Sequence, residues 1–220
     1  APFKTIEAYL RAFTNRDRVL LIVKTSYRDF RSPQPIGRRQ VEPGTAAWSL
    51  AQLLAGHRDP PAVRLSPWPM TSANIARLHH RADCFVSLCR AEGWGLGAFD
   101  AAAHGKPVVI TGFGGQLDYL GDSPYLVDFG LVPVQDPAGY PSYAPDQRWA
   151  EPDIDHGAAL LRTVFDQREQ AAAQAGARAG DIRHRYRPEA IAAAFRSAVE
   201  EHRGVRGGRP GRARTPGRHR

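Results

Sequence analysis

Between residues 91 and 100 the chain reads Ala-Glu-Gly-Trp-Gly-Leu-Gly-Ala-Phe-Asp. Glycines at 93, 95 and 97 let a backbone come close to a ligand. They also precede a helix start, where free N–H groups and the helix dipole attract phosphate. The spacing is not the dinucleotide pattern GxGxxG and the run sits mid-chain, which disfavours a nicotinamide site. An acid stands at each end: Glu92 in the turn and Asp100 eight residues later, about one turn into the helix. A carboxylate suits a pair of sugar hydroxyls, because each oxygen accepts a hydrogen bond. One acid per sugar ring, with phosphates between them, fits a nucleotide-sugar. The alternative is structural: an Asp in a first helical turn is favoured by the dipole alone, and a Glu before a glycine turn can simply be solvated.

Other reactive side chains point to little chemistry. Cys84 and Cys89 lie on what reads as one strand, about 16 Å apart at the usual rise, beyond disulfide reach. Two unpaired thiols fit a reducing compartment, and a cytoplasmic location is expected. No CxxC, HExxH or spaced His/Cys set occurs, so neither a metal site nor a cofactor is expected. His79 and His80 are adjacent on a helix and face different directions, as surface or cap histidines do. Lys24 stands at a strand end and is one of three lysines, with Lys4 and Lys106, against 27 arginines.

The charge is unevenly placed. The net charge is +8, but His202–Arg220 holds seven arginines and no acid, which leaves +1 for residues 1–201. The basicity therefore belongs to a Gly-, Pro- and Arg-rich tail, expected to be disordered over 202–220. Seven arginines could bind nucleic acid in a salt-sensitive way, yet no interleaved aromatics or folded recognition motif accompany them, which argues against that function. With 24% charged and 42% hydrophobic residues the chain is neither disordered nor a disulfide scaffold. No apolar run approaches 18 residues, so no membrane span is expected. Residue 1 is alanine and the only methionine is Met70, so a piece of a longer protein is expected.

The elements that must hold the glycine run follow from periodicity. Ile6, Leu10 and Phe13 recur at helical spacing. Val19–Val23 is an uninterrupted apolar run, the pattern of a parallel strand buried on both faces. Residues 25–43 read as a loop. A helix follows from Thr45 to Leu54, then a weak strand at 63–66, and a helix capped by Thr71 runs to Arg81. Cys84–Leu88 reads as a strand and Leu96–His104 as a helix with Gly105 closing it. Val108–Thr111 and Tyr125–Asp128 read as further strands. Residues 137–152 read as irregular, 154–179 and 188–201 as helices. Strands alternating with helices predict an α/β, Rossmann-like parallel sheet with helices on both faces, which binds ligands at the carboxyl ends of its strands.

The run from Ala82 to Thr111 resembles the donor-binding half of the GT-B glycosyltransferases, nearest to the retaining family 4 enzymes. The shared pattern is an acid, then Gly-aromatic-Gly-Leu, a second acid eight positions after the first, and a small-residue helix ending in Gly-x-Pro-Val-Val. Gly114-Gly115 resembles the family's next glycine turn. Trp149-Ala-Glu-Pro-Asp153 with His156 and Leu160-Leu-Arg162 is similar to a stretch in some bacterial members. The opening helix with Ala12-Phe13 and Leu21-Ile-Val-Lys24 resembles the start of this half, so the likeness spans about residues 3–200.

The resemblance implies roles. Glu92 would be catalytic, binding hydroxyls of the donor sugar. Backbone N–H groups of Gly93, Trp94 and Gly95, with Leu96 beside them, would hold the sugar or its diphosphate. Asp100 would bind the ribose hydroxyls; the family usually has Glu there, one methylene longer. Lys24 would neutralise the diphosphate leaving group. The loop Ser66–Thr71 would meet the base through its backbone. Residues 1–201 would be the nucleotide-sugar-binding domain. The acceptor domain would lie upstream, no metal would be needed, and the sugar would transfer with retention of configuration to an acceptor the sequence does not name. A non-catalytic binding half that works only with a partner domain is the rival expectation.

Overall fold

The structure, a computed structural model, describes residues 2–29, 41–135, 143, 144 and 146–207. The chain divides into two compact units, Ala1–Ala179 and Gly180–Arg220. In the first, helix α1 (Pro2–Ala12) precedes strand β1 (Leu20–Lys24), α2 (Ala46–Ala55), β2 (Ala62–Ser66) and α3 (Ser72–Arg81). Thr71 caps α3 as expected, and Thr45, read as the first helical residue, caps α2; their hydroxyls accept from the Asn74 and Trp48 N–H groups at 3.3 and 3.1 Å. Strand β3 (Phe85–Ser87), helix α4 (Leu96–Ala103), β4 (Val108–Thr111), the four-residue α5 (Leu117–Leu120) and β5 (Leu126–Val127) follow.

The expected single parallel sheet is in two pieces. β1 pairs with β2, and β3 with β4 and β4 with β5, all parallel. α1 joins the two pieces by packing. Its Ile6 and Leu10 lie with Leu50 against Leu21, Val23, Val63 and Leu65, while its Ala8 and Tyr9, with Phe13 just past its end, belong to the cluster of Leu88, Val109 and Val127. The Leu88 N–H, just past β3, goes to Thr5 Oγ1 on α1 at 2.8 Å rather than to a strand. Helices cover both faces of β3–β4–β5. Val86, Leu88 and Val109 meet α1 and α6 (Ile154–Asp166), while Phe85 on the opposite face meets α4 at Gly97.

Several expectations are corrected. β1 is not buried on both faces: Leu20 and Ile22 remain 49% and 41% exposed, because helices cover only the face that carries Leu21 and Val23. Residues 148–152, read as irregular, form β7 (Arg148–Pro152), antiparallel to β6 (Phe129–Pro133). The helix read over 154–179 is two helices. They break at Gln167, whose φ of −113° and ψ of 35° leave the helical region, and α7 (Arg168–Arg185) runs past 179. In the second unit α8 (Pro188–Gly207) extends beyond 201 into the stretch read as disordered tail, with Ile191 and Phe195 exposed on it. Residues 208–220 lie outside the described residues, as do 30–40 of the 25–43 loop.

Candidate functional site

The chain leaves β3 through buried Leu88 and Cys89 and enters the glycine loop at Arg90. Arg90 is clamped. Its Nε donates to Glu151 Oε2 at 2.7 Å, its guanidinium lies 4.2 Å from the Trp149 ring centroid, and its carbonyl accepts from Ala150 N at 2.9 Å. Lys4 pairs with the same Glu151 carboxylate. Burial alone would raise the Glu151 pKa, but the two cations hold it below the usual carboxylate value.

Past that clamp the loop is held from behind by backbone. Gly115 N donates to Glu92 O at 3.2 Å. A Cβ built on Gly115 would lie 1.9 Å from Gly93 O, and one on Gly114 would lie 2.5 Å from Glu92 O. The two glycine turns therefore touch main chain to main chain, which no larger residue at 115 permits. Tyr119 of α5 is 4% exposed, and its hydroxyl lies 3.0 Å from Trp94 O and 3.2 Å from Gly95 O. Its ring packs on Trp94 and Phe99 at centroid distances of 5.2 and 5.3 Å. Gln116 is fully buried, its amide donating to Thr111 O and Phe113 O at 2.8 and 2.5 Å, and so fixes the second turn.

On its other side the loop is exposed at Glu92, Gly93 and Leu96. Gly95 caps α4 in the left-handed conformation (φ 75°) with no side-chain acceptor, as glycine does at least cost. Among the described residues, no acceptor faces the N–H groups of Gly93, Gly95, Leu96, Gly97 and Ala98. Glu92 and Asp100 are exposed, and neither carboxylate makes a hydrogen bond or ion pair with a described residue. Such an array of unpaired donors between two unpaired acids offers seats for an anion and for hydroxyls.

A model of the family 4 glycosyltransferases in conflict systems matches residues 34–195. The chain belongs to that family. Over 152 residues it is 31% identical to a D-inositol 3-phosphate glycosyltransferase of Geodermatophilus obscurus, a match covering 69% of this chain and 29% of that protein. The chain thus spans less than a third of that curated relative.

Of the residues expected to serve a family 4 glycosyltransferase, Glu92, Gly93, Trp94, Gly95 and Leu96 are consecutive on this one loop, and Asp100 stands one turn into α4. Asp100 has a neighbour that the sequence did not suggest. His79, read as a surface or cap residue, is half-buried between Phe85 and His104, with both ring centroids 6.1 Å away. Burial pushes its imidazole below the ordinary value, against the pull of the Asp100 carboxylate and with the push of His104. Lys24 is set apart. It ends β1 in the other sheet, its Nζ donates to Thr25 O at 3.1 Å, and it precedes the stretch the family model matches. No hydrogen bond or ion pair joins it to the Glu92 loop.

Near that sheet a second feature appears at the carboxyl end of β2. Tyr27 and Trp68 stack at 5.3 Å with their planes 16° apart, beside an open groove of about 250 Å³ walled also by Val41, Ala47, Leu65 and Pro67. The cysteines are both free, and burial pushes the Cys84 thiol up to about 12. Among the described residues no three His, Cys, Asp or Glu side chains converge on a metal-sized space. No helix among them is long and apolar enough to cross a membrane.

The downstream run that resembles bacterial members is structural. Trp149 and Glu151 hold Arg90, and Asp153 caps α6 by accepting from His156 N at 3.0 Å. His156 Nδ1 in turn accepts from Asp128 N, and Arg162 reaches Asp17 at 2.7 Å. Tyr119 and Gln116 went unnoticed in the sequence. The only local signal is the Gly114-Gly115 pair before them, which marks a close approach without saying to what.

Proposed function

We infer that this chain is the donor-binding half of a GT-B enzyme that transfers a sugar from a nucleotide-sugar to an acceptor with retention of configuration. The observation that carries this is the set of N–H groups of Gly93, Gly95, Leu96, Gly97 and Ala98, which meet no acceptor among the described residues, flanked by the carboxylates of Glu92 and Asp100. The N–H groups receive the diphosphate and stabilise the charge it gains as the sugar–phosphate bond breaks. Glu92 orients the sugar through its hydroxyls, and Asp100 holds the ribose. As the sugar gains oxocarbenium character, the departing diphosphate takes the proton of the acceptor hydroxyl, so the protein contributes orientation and charge stabilisation. No step is assigned to a metal. The base lies at the Ser66–Thr71 loop, where the groove beside Trp68 suits a planar ring. The acceptor site belongs to a further domain, so this half binds donor better than it transfers sugar.

Thermal-shift screening against UDP-, GDP-, ADP- and dTDP-sugars identifies the base. Calorimetric titration then separates the two acids. Asp100→Ala weakens both the nucleoside diphosphate and the intact donor by about 1–3 kcal/mol, the worth of a lost charge-assisted hydrogen-bond pair. Glu92→Ala weakens mainly the intact donor. If neither variant alters either ligand, the two acids are merely solvated and the assignment of this loop falls.

A further inference from the structure

We propose that Tyr119 is a positioning residue whose buried hydroxyl aims the peptide groups of the glycine loop at the diphosphate. The proposal rests on the donor site inferred above. Every peptide of the loop is trans, so each carbonyl points opposite to the N–H of the next residue. Three carbonyls of the loop face the 114–119 segment. Glu92 O accepts from Gly115 N, while Trp94 O and Gly95 O share the Tyr119 hydroxyl. The N–H groups of Gly93, Gly95 and Leu96 must then face the other way, into the open side.

The hydroxyl carries one proton and spreads it between two acceptors, a three-centre arrangement that constrains both peptides together. Gly95 O also accepts the first bond of α4, from Phe99 N at 2.8 Å, so Tyr119 ties the loop to the helix axis. The position leaves no slack. A Cβ on Gly95 would meet Tyr119 Oη at 3.1 Å and Glu92 Cγ at 3.2 Å, so the hydroxyl and the stem of the catalytic acid crowd the same backbone atom. The bond from the Tyr119 hydroxyl to Trp94 O spans 25 residues of chain, so the second turn holds the peptide of the first. Without the hydroxyl the 94–95 peptide is free to flip, which turns one donor into an acceptor facing the anion.

The test uses the full chain and the probes UDP, GDP, ADP and dTDP, each beside its nucleoside, with inorganic pyrophosphate as the smallest anion. Tyr119→Phe keeps the ring packing on Trp94 and Phe99 and removes only the hydroxyl. For the tightest-binding diphosphate the expected loss is about fivefold to tenfold, the worth of one buried hydrogen bond, with binding of its nucleoside unchanged. Phe99→Leu disturbs the packing and spares the hydroxyl; it should lower the melting temperature without changing the diphosphate-to-nucleoside ratio. If Tyr119→Phe keeps diphosphate affinity within twofold, or weakens nucleoside and diphosphate equally, the hydroxyl has only a packing role and the proposal is wrong. A wild-type chain that binds diphosphate no better than nucleoside removes the donor site itself, an outcome distinct from a wild type that discriminates and a variant that matches it.

Discussion

The sheets β3–β4–β5 and β1–β2 are built to different standards. In the first, Val109, Val127 and, just past β3, Leu88 are at most 1% exposed, helices close both faces, and the loop beyond is locked by backbone contact. In the second, one face is covered and the other shows Leu20 and Ile22 to solvent. The strand sequences do not explain this, since Leu-Leu-Ile-Val is as apolar as Val-Val-Ile-Thr. What differs is the cover. Close packing is concentrated beneath the Glu92 loop, and the strand that ends in Lys24 is left one-sided.

The largest expected effect separates the two cores. Leu88→Ala should cost about 2–5 kcal/mol, since its side chain fills the space against Gly157 and cannot be replaced by relaxation. Leu20→Ala, on the open face of β1, should cost under about 1 kcal/mol, because little of its surface leaves water on folding. Equal costs in urea melts would mean that the open face is covered in solution.

Next comes the contact between glycine turns. Gly115→Ala should destabilise by about 1–3 kcal/mol, or roughly 2–12 °C, and displace the Glu92 loop, because the neighbouring atom is a main-chain oxygen. Gly130→Ala on β6, where a Cβ meets nothing within 4 Å, should leave the melting temperature within a degree or so. A Gly115→Ala chain that melts and binds pyrophosphate like wild type would show that the turns do not touch.

The smallest effect is acid sensitivity at the Arg90 clamp. Glu151 is held below its ordinary 4.5 by Lys4 and Arg90, against the opposing effect of burial. A depressed carboxylate stabilises the fold fully above its unfolded value and loses that contribution as pH falls through the lower folded value. Stability measured from pH 6 downward should therefore fall less steeply in Glu151→Gln than in wild type below about pH 4.5. Parallel curves would mean that the clamp contributes no stability in water.

The elements that carry their own punctuation were legible in the sequence. Thr71 is a cap in sequence and in structure, and Gly105 takes the left-handed turn after α4. The turn from Glu92 to Gly95 and the helix after it were legible from the glycines at 93, 95 and 97. What stayed hidden depends on partners far along the chain. β6 and β7 end in prolines and lack alternation, and they become strands by pairing with each other. The break at Gln167 has no Gly or Pro to mark it. The exposure of Leu20 depends on a missing cover rather than on the strand. Tyr119 looks like any aromatic of a short helix until its hydroxyl is seen against two carbonyls 24 and 25 residues away.

Because Gly115 lies against the Gly93 carbonyl with no room for a side chain, the segments 92–95 and 112–116 have to be exchanged together. A chimera that grafts the first loop from a relative while keeping the native second turn joins two surfaces never fitted to each other. Recombination between such enzymes should succeed when the crossover falls before Cys89 or after Leu120, and fail between them. The smallest exchangeable piece of this glycosyltransferase chain is thus the stretch from Cys89 to Leu120, a unit set by two main chains in contact rather than by any single strand–helix repeat.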